Sequence, residues 1–183
     1  MNENGFWKVC EALDCAQRLE LLRILLLHET TEFPCVGELA ERLNLSIATV
    51  SVHLKKLATA GLVASKRTER RIYYRAFATT EDGAKVVEAM RTMFVSWSDE
   101  ERFRSFREYA HALSHVRRHT IVRCLHKSPG LPLMELAVRT DMPPKTAARL
   151  YDELGKAHIV DLTGTVIAPE RNPEATLLEL TLA

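Results

Sequence analysis

The stretch from Glu38 to Tyr74, ELAERLNLSIATVSVHLKKLATAGLVASKRTERRIYY, restricts the fold of this chain more than any other part of it. Leu39 and Leu43 stand four residues apart and share one face of a short helix. Asn44-Leu45-Ser46 is a tight turn. Ser46 is a good N-cap for the next helix, because its hydroxyl accepts a backbone N–H left free in the first turn. Val50, Leu54 and Leu57 follow as an inward stripe at i, i+4 and i+7. Ala60-Gly61 closes that helix, glycine taking the left-handed cap at little steric cost. Leu62-Val63 opens an extended segment, Thr68 to Arg71 form a polar turn, and Ile72-Tyr73-Tyr74 return as a second strand.

With Val50, Leu54 and Leu57 turned inward, steps of about 100° send Ala48, Val52, Lys55, Lys56 and Thr59 outward, with Thr49 and Ser51 on the flanks. Short side chains at the start of a helix allow close approach to base edges, and lysines further along meet phosphates. Between Val52 and Arg75 stand seven cations (Lys55, Lys56, Lys66, Arg67, Arg70, Arg71, Arg75) against Glu69, a local charge of +6. A surface amphipathic helix with a solvated charged hairpin is the competing reading. Turn, cap, small-residue face and basic hairpin all agree instead on a winged helix-turn-helix that grips DNA. Ser46, Ala48, Thr49, Ser51, Val52, Lys55 and Lys56 are its candidate contacts on the helix, and Lys66, Arg67, Arg70, Arg71 and Tyr74 those on the wing.

The formal net charge of +1 over 183 residues shows that this basic character is local. A composition of 46% hydrophobic and 27% charged residues is that of an ordinary globular protein. Asn2 and Glu3 precede no cationic segment or long apolar run, so neither a signal peptide nor a membrane span is expected. Cys10, Cys15, Cys35 and Cys124 are scattered rather than patterned, which suits a reducing cytoplasm. Residues 5 to 28 read as one or two helices, with Phe6, Trp7, Cys10 and Leu13 as an apolar stripe. Glu32-Phe33-Pro34 breaks the chain before the turn-helix unit. Thr80 reads as the N-cap of a helix striped by Ala84, Val87, Met90, Phe94 and Trp97. Ser98 reads as the N-cap of another, carrying Phe103, Phe106, Tyr109 and Leu113.

The second half repeats the first. Ala112-Leu113, Arg118 and Arg123 match Ala12-Leu13, Arg18 and Arg23 at an offset of 100. From Glu135 to Val160 the offset is 97: Glu135-Leu136-Ala137, Arg139, Thr146, Leu154, Ala157 and Val160 match Glu38-Leu39-Ala40, Arg42, Thr49, Leu57, Ala60 and Val63. Pro143-Pro144 replaces Ser46-Ile47, and proline is tolerated at a helix start. The expected fold is therefore mainly α with small β-hairpins (α+β). Residues 1–80 form a DNA-binding winged helix-turn-helix, 81–110 a helical connector and dimerisation region, and 111–183 a second, degenerate winged helix. The second wing shrinks to Asp161–Ile167, uncharged apart from Asp161. Phosphate binding needs cations, so this copy reads mainly as an interaction or architectural domain, with Lys145 and Arg149 as its remaining DNA candidates. The tail from Ala175 to Leu182 is compatible with strand or helix.

Ala12-Leu13-Asp14, Arg18, Ile24-Leu25, Glu38-Leu39-Ala40, Leu45-Ser46, Thr49-Val50-Ser51, His53-Leu54-Lys55, Leu57, Ala60-Gly61-Leu62-Val63 and Tyr73-Tyr74 resemble, in order and spacing, the ArsR family of bacterial transcription repressors. The resemblance covers about residues 10 to 95. It implies a DNA-binding homodimer with the recognition helix starting near Ser46 and the wing near Lys66 to Tyr74. It also implies a dimer interface built by the first helix and the helix after the wing. The faces around Phe6, Trp7 and Cys10, and around Val87, Met90 and Phe94, are those expected to pair. Val52 stands where the family often carries a polar reader; valine touches a thymine methyl but cannot hydrogen-bond a base. Cys35 stands where thiolate sensors of the family carry Cys-x-Cys, but its partner position is Gly37, and a lone thiol is a poor metal site.

His111, His115 and His119 recur every four residues and would share a face on a continuous helix, a geometry that binds zinc or nickel. A helix break near Ser114 speaks against it, and no metal site or cofactor is expected. His53 is expected to pack and hydrogen-bond rather than read a base. No glycine-rich phosphate loop, nucleophile elbow or His-Glu-x-x-His motif is present, so no catalytic residue is assigned and no enzyme is expected. The expectation is a cytoplasmic, homodimeric, sequence-specific regulator of transcription, a repressor, with double-stranded DNA as partner and no stated effector. The alternatives are a tandem winged-helix protein-interaction module and a metal-responsive repressor with ligands among the His and Cys residues.

Overall fold

The computed structural model describes residues 5–28, 33–68, 71–96, 100–169 and 173–183. The expected N-cap Ser98, the stripe residue Trp97 and the wing residue Arg70 lie outside them. The first half runs α1 (Trp7–Leu13), α2 (Ala16–Leu26), α3 (Val36–Leu43), α4 (Ile47–Thr59), β1 (Val63–Thr68), β2 (Arg71–Ala76) and α5 (Glu81–Ser96). The second runs α6 (Glu100–Leu113), α7 (Val116–Lys127), α8 (Leu133–Arg139), α9 (Pro144–Lys156) and α10 (Glu174–Leu182). The tail is thus a helix. β1 and β2 pair antiparallel from Val63 opposite Ala76 to Thr68 opposite Arg71. They are the one hairpin of strands among the described residues. Where a second hairpin is expected, a single bridge joins Val160 to Val166. Asp161 explains the collapse: its carboxylate accepts N–H groups of Thr163 (2.8 Å) and Thr165 (2.9 Å), closing a turn too tight for two strands.

α1 and α2 meet at a corner held by Arg18. This residue is 7% exposed, and its guanidinium donates to the carbonyls of Ala12 and Glu11, both at 2.6 Å, and to Asp14 at 2.7 Å. Those carbonyls end α1 and lack partners within the helix. Arg118 does the same between α6 and α7, donating to the His111 carbonyl (2.7 Å), Ser114 Oγ (3.3 Å) and Glu153 (2.8 Å).

The offset of 97 recurs in the backbone. Asn44 and Asp141 both take φ of 51°, and Leu45 N–H to Ala40 O (3.0 Å) is matched by Met142 N–H to Ala137 O (2.9 Å). Gly61 (φ 77°) is matched by His158 (φ 55°), and Leu62 N–H to Leu57 O by Ile159 N–H to Leu154 O, both 3.0 Å. In each case the left-handed residue after a helix frees the next N–H to reach a terminal carbonyl.

One continuous core joins the halves, with Leu13, Leu39, Leu57, Met90, Phe106, Leu113, Leu154 and Leu177 among its buried members. α1 packs against α6, and α10 against α5, α6 and α7. The faces expected to pair across a dimer axis are consequently covered within one chain. Phe6, Cys10, Val87, Met90 and Phe94 are buried while Trp7 is half-buried, and Phe94 stacks on Phe103 with ring centroids 5.4 Å apart. Burial removes them from water once, and they are not exposed to drive a second association. Within α5, Ala84 is exposed, and the buried stripe is Val86, Val87, Ala89, Met90, Met93 and Phe94.

Candidate nucleic-acid interface

α4 begins at Ser46, whose Oγ accepts the Thr49 N–H at 3.0 Å, as the sequence predicts. Val50, Leu54 and Leu57 are fully buried, so α4 is seated on the core by its inner face. Ala48, Thr49, Val52, Lys55 and Lys56 are exposed along the outer face, with Ser51 half-buried at its flank. Two hydroxyls there are already engaged. Thr49 Oγ1 lies 2.8 Å from Ser46 Oγ, and Ser51 Oγ donates to the Ile47 carbonyl at 2.7 Å. Ser51 therefore presents acceptor lone pairs outward. Ile47, not among the contacts expected from the sequence, is 61% exposed at the first turn, and Val52 is 58% exposed, giving the helix two exposed aliphatic side chains. Such side chains suit thymine methyl groups. Lys56 Nζ reaches Glu11 at 3.5 Å, so its charge is shared with α1, whereas Lys55 is unshared by any ion pair among the described residues.

The wing is fastened to the body at its base. Tyr74 N–H donates to the Pro34 carbonyl (3.1 Å), and Tyr73 bridges Cys35. Further on, Thr79 N–H donates to the Gly61 carbonyl at 3.0 Å, and a Cβ at Gly83 would lie 2.7 Å from that oxygen. Glycine at 83 is what allows α5 to start against the end of α4. Lys66, Arg67 and Arg71 are exposed at the far end of the hairpin. Tyr74 is half-buried and packs toward the core, and burial raises its phenol above the ordinary value. Its place is structural as much as interfacial. Arg75 lies over the Phe77 ring at 4.4 Å and the Phe33 ring at 5.7 Å. Those aromatics hold a cation at the wing's edge, an arrangement that the spacing of Phe33 and Arg75 in the chain conceals.

His53, on the inner flank of α4, has a buried Nδ1 with no hydrogen-bond partner, contrary to the bonding expected of it. Burial, then the Arg18 and Lys56 charges, lower its pKa from the ordinary value. The three spaced histidines do not share a helix face, because α6 ends at Leu113 and α7 starts at Val116. His111 faces Asp14 at 3.3 Å, His115 caps α7 by accepting the Arg117 N–H, and His119 is buried. Cys35 caps α3 in a capping box with Glu38. Among the described residues no three His, Cys, Asp or Glu side chains converge on a point.

The corresponding helix of the second half differs electrostatically. Arg149 pairs with Glu153, which also accepts Arg118, and Lys156 pairs with Asp152 at 2.6 Å. Lys145 is exposed without an ion pair among the described residues. The turn from Asp161 to Ile167 carries no cation.

Residues 15–65 match the profile of the bacterial regulatory protein arsR family. The match runs from the corner before α2 through α3 and α4 into β1, and suggests a DNA-binding regulator of transcription rather than an enzyme. No curated protein and no solved structure matches the chain. No helix among the described residues is long and apolar enough to cross a membrane.

Proposed function

We propose that this protein is a sequence-specific, double-stranded-DNA-binding repressor that works in the cytoplasm, with α4 as recognition helix and β1–β2 as wing. The observation that carries this reading is the meeting of an exposed small-residue helix face with exposed cations. Ala48, Thr49 and Val52 lead into Lys55, and Lys66, Arg67 and Arg71 extend the positive surface along the hairpin. The lysines and arginines would neutralise phosphates, while Ile47, Thr49, Ser51 and Val52 would meet base edges. Repression follows from occupancy, since a protein seated on a promoter excludes the polymerase. Residues 111–183 act as a second, degenerate winged helix. The repeated left-handed caps and backbone bonds support that reading, and the paired charges of α9 support an architectural role for it.

The test is selection of bound duplexes from a random pool, followed by substitution. Arg67→Glu with Arg71→Glu is expected to weaken binding to every sequence, whereas Thr49→Ala or Val52→Ala changes which bases are preferred, by about 1–3 kcal/mol at the affected position. Uniform losses from both sets would remove the base-reading role of α4.

A further inference from the structure

Repeat and packing together identify what lies on the chain's internal axis. A shift of 100 carries α1 onto the end of α6 and α2 onto α7. A shift of 97 carries α3 onto α8 and α4 onto α9, while α5 and α10 each follow the hairpin or turn of their own half. The halves meet through α1 against α6 and α5 against α10. Each joining helix thus packs on its own counterpart, which is what a two-fold axis requires of an isologous contact. Two clefts flank this junction. One is bounded by Trp7, Val116, His119, Thr120 and Arg123, and the other by Arg107, Ala16, Leu19, Glu20 and Arg23. At a shift of 100 these five positions of one cleft fall on the five of the other, while Cys124 and Lys127 of the first and Glu100, Glu101, Phe103 and Arg104 of the second have no counterpart across the junction. The corner arginines obey the same relation, Arg18 and Arg118 each clamping the helix before it.

We infer that one chain folds as its own dimer, the second half standing where a partner copy would stand, and reads an asymmetric DNA site with its first head alone. The second clause rests on the DNA-binding reading; the first does not. Cys10, Leu13, Phe106, Ala110 and Leu113, on the paired helices, are fully buried in the single chain. A second copy would have to displace α6 or α10 to reach them. The asymmetry follows from charge. Lys55 and the wing cations of the first head are exposed, whereas Arg149 and Lys156 are held by Glu153 and Asp152, and the second turn has no Lys or Arg.

Light scattering of the full chain at micromolar concentration reads the first clause without DNA. A mass near 20.7 kDa is expected, and twice that mass, including an exchange of halves between chains, overturns it. Native mass spectrometry on duplexes selected from a random pool reads the second. One chain per duplex on a consensus without inverted symmetry supports it. Two chains on an inverted repeat overturn both clauses, and one chain on an inverted repeat overturns the assignment of reading to the first head. Failure of any duplex to be selected defeats the DNA-binding reading while the mass still decides the fold.

Discussion

His119 stands 6.0 Å from the Phe6 ring and 3.4 Å from Thr181 Oγ1, buried where α1, α7 and α10 meet. Burial, with the nearby Arg123 charge, lowers its pKa from 6.5 to about 4. The unfolded chain takes up this proton near pH 6.5 and the folded chain only near 4, so between them the unfolded state binds more protons. Stability is therefore complete above pH 6.5 and declines as pH falls toward 4, by roughly 3 kcal/mol at this one site. Denaturant midpoints at pH 7 and pH 4 are expected to differ by less in His119→Leu than in the natural chain. Equal pH dependence in both would show that the ring is not buried when folded. A spacing of four made His111, His115 and His119 look alike in sequence. Only the packed structure separates a surface residue, a cap and a core residue, because burial depends on helices distant in the chain.

At the scale of elements, the helix-turn-helix was legible because its determinants are local. Ser46 capping Thr49, Asn44 in the left-handed turn and Gly61 after α4 each act within a few residues of the feature they create. The second hairpin misled, since β-like Thr and Val residues in 163–166 were overridden by the turn that Asp161 closes. The corners were visible as two matching arginines, but their work was not. Arg18→Ala leaves the carbonyls of Ala12 and Glu11 without that donor, and Arg118→Ala removes its bonds to the His111 carbonyl, Ser114 and Glu153, although the His111 carbonyl keeps the N–H and hydroxyl of Ser114. Each is expected to cost about 2–4 kcal/mol, the range for losing a buried charged donor bonded to several acceptors. Chemical denaturation measures this. A loss below about 1 kcal/mol at both positions would mean that the corners are held by apolar packing instead.

For the whole molecule, the offset of 97 between the halves was readable, and so was their unequal charge. What the sequence hid was the destination of the apolar stripes. Phe6 with Cys10, and Met90 with Phe94, are as suitable for a partner chain as for α6 and α10, and periodicity does not distinguish the two. Within the chain α1 packs on α6, and α10 on α5, α6 and α7. Among the described residues the body so formed presents a strongly basic surface along α4 and the wing, on a chain whose formal net charge is only +1. On the proposed reading, attraction to DNA is expected of that surface and not of the protein as a whole. The direct test is the salt dependence of the full chain's affinity for a selected duplex. Each phosphate neutralised contributes about −0.9 to the slope of log K against log salt. With Lys55, Lys56, Lys66, Arg67 and Arg71 outward, a slope of about −4.5 is expected, reduced by roughly 2 when Arg67 and Arg71 are both changed to Ala. A slope near zero, or one that these two substitutions leave unchanged, would contradict the placement of the DNA on α4 and the wing.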